Sequence, residues 1–275
     1  MAYGRATWPA VAGVLVAWLA VFLLVSTVGC THVGQRERAP SRWRLHLAAG
    51  AGDVAEVRRL LESEPVDAFD PQGWTALHLA AGGGHGDVVK MLLEHGAVTD
   101  SRAVRTERTP LMWAAVHDRV GVVTLLLQAG ANLAAQDVDG RTALHHATLG
   151  GAARSTALLL RSGAKLEARD KEGETAMLLA ARLKRVVVGS VLAAAGADVG
   201  AAGHNGETPL HRAASSGCPD FVQLLLCLGA NVNSEDASGR TPRDWALLYG
   251  RSEIEAQLVR AGAGSGGEEP AVSYP

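Results

Sequence analysis

Gly73-Trp74-Thr75-Ala76-Leu77-His78-Leu79-Ala80-Ala81 opens a pattern that returns along the chain with a nearly constant step. Its threonine recurs at Thr109, Thr142, Thr175, Thr208 and Thr241, one step of 34 residues and four of 33. A Gly-Ala pair keeps the same time, starting at Gly96, Gly130, Gly163, Gly196, Gly229 and Gly262. Two marker series in register define an internal repeat, and a period of this size sets the architecture before any single residue is weighed.

Each unit reads as a glycine-bearing turn, then Thr-x-Leu-x-x-Ala-Ala, then an apolar run such as Val88-Val89-x-Met91-Leu92-Leu93, then Gly-Ala. The pattern predicts two short helices per unit. The threonine is placed to cap the first helix, and Pro110, Pro209 and Pro242 follow it at a position that needs no N–H. The closing glycine supplies the left-handed residue that ends the second helix. Helix pairs this short cannot bury their own apolar faces, so neighbouring units stack into an elongated all-α solenoid.

The motif Gly73-x-Thr75-Ala-Leu-His78-Leu-Ala80-Ala81, with Val88-Val89 and Leu92-Leu93-x-x-Gly96-Ala97, resembles the ankyrin repeat family from about Leu45 to Gly264. The expected organisation is an N-terminal cap over 45–69, five full repeats over 70–235 and a C-terminal cap over 236–264. Departures are local. Glu107 stands where other units have the turn glycine, one residue is inserted before Thr109, and Leu178 replaces the motif histidine.

Ahead of the repeats, Trp8 to Gly29 carries no charge and is rich in Ala, Val and Leu, so residues 1–29 are expected to be a signal peptide or an apolar anchor helix. Thr27-Val28-Gly29-Cys30 resembles the lipobox of bacterial lipoproteins, with Thr27 where Leu is usual, and it makes Cys30 the candidate lipidated residue facing the periplasm. The alternative is a retained anchor. Arg36, Arg38, Arg42 and Arg44 outweigh Arg5, a bias that would keep the repeats in the cytoplasm. Residues 30–44 read as a polar linker and 265–275 as a disordered tail.

Formal net charge is −2, which offers no electrostatic footprint for nucleic acid. His78, His145 and His211 share one position of the repeat; stacked units hold equivalent positions too far apart for a common ion, so no metal site is expected. The family resemblance implies a structural role for this histidine, bonded to backbone near the turn. Gly82-Gly83-Gly84-His85-Gly86 lacks the Lys-Ser/Thr and the strand of a phosphate loop. Cys218 and Cys227 fall at opposite ends of one helix, roughly 13 Å apart, beyond disulfide reach. With no Ser/His/Asp or Cys/His arrangement in register, neither catalysis nor a cofactor is expected.

The resemblance implies protein binding through the turn tips and the concave face of the first helices. By position, Trp74, Arg108, Trp113, His117 and Arg141 are expected to line one strip, with His146, Arg182 and Arg212 further along the helix face and Glu174 and Glu207 at exposed tips. Trp74 and Trp113 also have a plain packing interpretation, as cover for neighbouring turns and helices. The expected role is a membrane-tethered, non-enzymatic scaffold for a protein partner; the alternative is a protective factor that shields a client enzyme.

Overall fold

The computed structural model describes residues 43–264, within which fourteen α-helices follow one another in seven pairs. The candidate signal or anchor segment 1–29, Cys30 and the tail 265–275 lie outside the described residues. The pairs are α1 (Arg44–Ala51) with α2 (Val54–Leu61), α3 (Ala76–Gly83) with α4 (Gly86–Glu94), α5 (Pro110–Val116) with α6 (Val120–Gln128), α7 (Ala143–Gly150) with α8 (Ala153–Arg161), α9 (Ala176–Arg182) with α10 (Val186–Ala194), α11 (Pro209–Ser216) with α12 (Pro219–Cys227), and α13 (Pro242–Leu248) with α14 (Ser252–Arg260). First helices pack on first helices and second on second, giving two parallel rows. No helix among the described residues is long and apolar enough to cross a membrane.

The repeat markers act locally as expected. Thr75 is an extended N-cap (φ −90°, ψ 164°), and Pro110, Pro209 and Pro242 sit in the first turns of their helices. In three units the histidine completes the cap. His78 Nδ1 accepts from the Thr75 N–H (3.2 Å) and pairs with its hydroxyl (2.8 Å), while Nε2 reaches across to the Arg108 carbonyl of the next unit (2.8 Å). His145 and His211 repeat this with the Glu174 and Arg240 carbonyls. Met112 and Leu178 cannot donate across, so two of the junctions lack this stitch.

Where Glu107 replaces the turn glycine the backbone keeps the left-handed conformation (φ 53°), as Gly73 (φ 85°) and Gly140 (φ 76°) do in their units. The substitution therefore strains one residue without changing the turn. Between the rows lies a continuous core of fully buried side chains, among them Leu77, Leu92, Leu111, Leu126, Leu144, Leu159, Met177 and Phe221. Each contributes about 1.5–3 kcal/mol by leaving water. Cys218 is a buried thiol and Cys227 an exposed one, both unoxidised.

One close approach is tighter than its equivalents. A Cβ on Gly150 would strike the Val116 carbonyl of α5; Gly83 is the one other glycine at this position, with the Gly50 carbonyl at 3.4 Å from such a Cβ, and the other later units carry His117, Leu183, Ser216 and Tyr249. Because the obstacle is backbone, Gly150→Ala is expected to destabilise the array by about 1–3 kcal/mol. A urea melt tests this; an unchanged midpoint would mean that α5 and α7 can separate freely.

Candidate partner-binding face

The turns that precede the first helices are pinned by aspartates. Asp70 Oδ1 accepts from the Gln72 and Trp74 N–H groups (3.0 and 2.8 Å), and Asp137, Asp170 and Asp236 do the same two and four residues ahead. The fifth unit has Gly203 in this place, and the Glu207 carboxylate occupies the room a side chain there would need, taking the Asn205 N–H (3.0 Å). In two of them the remaining oxygen meets a side chain of the first helix that follows. Asp137 Oδ2 meets His146 Nε2 at 2.8 Å, and Asp236 Oδ2 meets Trp245 Nε1 at 2.9 Å, each across nine residues of sequence.

This relation corrects the expectation for His146. It is 2% exposed, held against a carboxylate that is itself fully buried, and it offers nothing to a partner. Burial lowers its pKa, the Asp137 bond opposing. For Asp137, burial works upward, but the hydrogen bonds from His146 and the Arg141 backbone prevail and hold its pKa at about 2. Glu174 and Glu207 need the same correction: expected at open tips, they are 1% and 2% exposed. Arg182 clasps Glu174 through Nε and Nη2 (3.0 and 2.8 Å), and Arg212 Nη2 bridges Glu207 (2.7 Å) and Glu174 (3.3 Å). An arginine one or two turns along the helix, long enough to reach back, is what permits a tip carboxylate to leave water.

The other expected site residues divide into two groups. Trp74, Trp113, His117 and Arg108 come together: the indoles of Trp74 and Trp113 meet edge-on at 4.5 Å, Trp113 and His117 stack at 5.7 Å, and the Arg108 guanidinium lies 5.9 Å from the Trp113 ring. All four are half-buried, and the contact between the two indoles matches the packing interpretation of the tryptophans while leaving part of each ring exposed. Arg141 instead turns into its own turn network, with Asp170 at 3.2 Å and Asp139 and Glu172 at 3.4 Å. The carboxylate oxygens of Asp170, Glu172 and Glu174 lie within 4.8 Å of one another, but Arg141, Arg182 and Arg212 already balance them.

A set of arginines escaped the motif analysis. Arg119 Nε donates to the Gly82 carbonyl (3.0 Å), Arg185 Nη2 to that of Leu149 (3.0 Å) and Arg251 Nε to that of Ser215 (3.2 Å). Each follows a first helix and reaches back to the C-terminal end of the first helix before it, where a cation complements unsatisfied carbonyls. Their recurrence every 66 residues, in alternate units, was the available signal, visible as Arg119, Arg185 and Arg251 in one register.

Two rows of stacked helices with aspartate-pinned turns, and one face combining aromatic rings with arginines, define a helical repeat protein. The family model described as "Ankyrin repeats (3 copies)" matches residues 45–137, 130–202 and 187–265, and the chain belongs to the ankyrin repeat family. Over 109 residues it is 34% identical to the B-cell lymphoma 3 protein homolog of Mus musculus, covering 38% of this chain and 24% of that protein. Over 95 residues it is 33% identical to the Palmitoyltransferase Hip14 of Drosophila melanogaster, covering 34% of this chain and 15% of that one. The match thus spans less than a quarter of either relative's length. Among solved structures, the ankyrin repeat domain of Bcl-3, titled a unique member of the IkappaB protein family, superposes with a TM-score of 0.68 at 28% identity over 79% of this chain and 97% of its own. The human ASB11 ankyrin repeat domain gives 0.72 at 28% identity over 82% and 99%. The repeat domain is accordingly a protein-interaction module.

Proposed function

We propose that this chain is a non-enzymatic scaffold whose first-helix face holds a protein partner, and that its N-terminal segment tethers the array to a membrane, with Cys30 as the lipidated residue of an exported lipoprotein. The observation that carries the binding reading is the cluster of Trp74, Trp113, His117 and Arg108 on that face. Interfaces concentrate their energy in such tryptophans and arginines. The tether rests on the uncharged run from Trp8 to Gly29 that ends at Cys30.

Photo-crosslinkers placed at the turn tip Arg105, ahead of the first helix α5, and on the second-helix row at Lys90, in the native host, test the face. A discrete product is expected from the first position, and Trp74→Ala with Arg108→Ala should abolish it. Because Trp74 packs on Trp113, that variant also loses about 1–2 kcal/mol, or a few degrees of melting temperature. Equal crosslinking from both positions would defeat the assignment of the face. For the tether, metabolic palmitate labelling of wild type and Cys30→Ala is expected to mark the wild type alone; a label that survives the substitution would remove Cys30 from the proposal.

A further inference from the structure

We infer that the first-helix face takes an acidic protein segment, whose carboxylates meet Arg108, Arg182 and Arg212 and whose apolar residue rests on Trp74 and Trp113. This rests on the binding-module reading above and names the chemistry of the partner. It stands first on depth. At every one of these ion pairs the carboxylate is the inner member: Asp137 has no exposed side-chain surface and Glu174 and Glu207 have 1% and 2%, while Arg108, Arg182 and Arg212 keep 26%, 28% and 24%. A partner approaching this face meets guanidinium groups and not the acids that balance them.

Valence is the second support. Arg108 approaches Asp137 only through Nε, at 3.7 Å, and among the described residues no hydrogen bond occupies its terminal nitrogens. Arg182 binds through Nε and Nη2 and Arg212 through Nη2, which leaves Nη1 of each for another acceptor. A guanidinium already fixed by one carboxylate has lost its side-chain entropy before the second arrives, so it can take a planar anion with little further ordering. Arg119 and Arg185 add positive charge along the edge where the first helices end. The whole chain has a net charge of −2, so this is a local lining and not a general polycation.

The spacing sets the partner's form. Arg141 between the two stations is flanked by the exposed acids Asp139 and Glu172, which neutralise that region. Arg108 and Arg182 belong to units two apart, and helices packed at about 8–10 Å place them roughly 20 Å from each other. An extended chain covers that in about six residues. The fitting segment is therefore extended, with an apolar residue beside one acidic station and a second acidic station about six residues on.

The probe is a fluorescein-labelled peptide with one Phe-Leu pair and two Glu pairs at that spacing, titrated against the full chain in mild detergent. It is expected to bind at least tenfold more tightly than the same peptide with Lys for Glu, and to weaken as salt rises. Arg108→Gln combined with Arg212→Gln and Glu207→Gln, which replaces the Arg212–Glu207 pair by amides while Asp137 keeps its hydrogen bonds from His146 and the Asp139 and Arg141 N–H groups and Glu174 keeps Arg182, should lose at least tenfold while circular dichroism shows an intact fold. Equal binding of the Lys peptide, tighter binding of single-stranded DNA, or unchanged binding by the triple variant would overturn the inference. If the acidic peptide fails while the Arg105 crosslink still depends on Trp74, the acidic-segment inference falls and the binding face stands; if that crosslink is also insensitive, the face falls with it.

Discussion

Between pH 7 and pH 5 the melting temperature of the repeat array is expected to fall by at least about 4 °C, through histidines that the fold holds neutral. A backbone N–H can only donate, so the bond from Thr75 N to His78 Nδ1 requires a lone pair there, and Nε2–H then donates to the Arg108 carbonyl. Protonation would set one N–H against another inside the core. Burial is the main cause of the shift, and the His78 pKa drops from 6.5 to about 4. The folded state therefore refuses a proton that the unfolded chain accepts from about pH 6.5 downward. Stability is complete above 6.5 and is lost as pH falls towards 4. At pH 5 this one residue has given up about 2 kcal/mol. His145 and His211 share the geometry, and burial lowers them too; burial also lowers His146, against its bond to Asp137 and with the Arg108 and Arg141 charges assisting. Asp137 acts in a separate window, its contribution present above 3.8 and lost between there and about 2. Thermal melts at pH 7, 6 and 5 measure the effect, and His78→Gln should make the dependence shallower, the share of His145, His146 and His211 remaining. A melting temperature that stays level over this range would show that the imidazoles can be charged in place.

What the amino-acid order disclosed was whatever repeats. Thr75, His78 and Gly96 recur because each solves a backbone problem that every unit has: an N-cap, a stitch to the next turn, a left-handed stop. Residues that answer a neighbour's irregularity were not legible in this way. Glu207 reads as a solvated tip until Gly203 is seen to leave a space for its carboxylate. Glu174 reads likewise until Arg182, eight residues on, closes over it. His146 could have been placed from the nine-residue step that also joins Asp236 to Trp245, but two instances in six units fall below the threshold of a motif. The aromatic half of the face was visible because aromatic residues make up only 4% of the chain. Its arginine half was visible as residues and invisible as a charge surface, since which partner of an ion pair lies deeper depends on packing.

That difference in depth predicts an asymmetry. Removing Arg182 and Arg212 together by Ala substitution is expected to cost about 3–5 kcal/mol, because the Glu174 and Glu207 carboxylates would stay buried with no cation. Removing Glu174 alone should cost only about 1–2 kcal/mol: both arginines keep about a quarter of their surface and can turn their charged ends into water. An ordinary exposed salt bridge would give small and equal losses from either side. Adding Glu174→Gln and Glu207→Gln to the double alanine variant should recover most of the loss, since an amide in the same place needs hydrogen bonds but no countercharge. Urea unfolding of the four proteins separates the cases. If the quadruple variant is as unstable as the double one, the arginines support this region by packing their stems, and the buried charges are not what makes them necessary. If it recovers, the arginines are held in place by acids that cannot follow them to the surface, and this is the arrangement that leaves their outer nitrogens turned towards a partner.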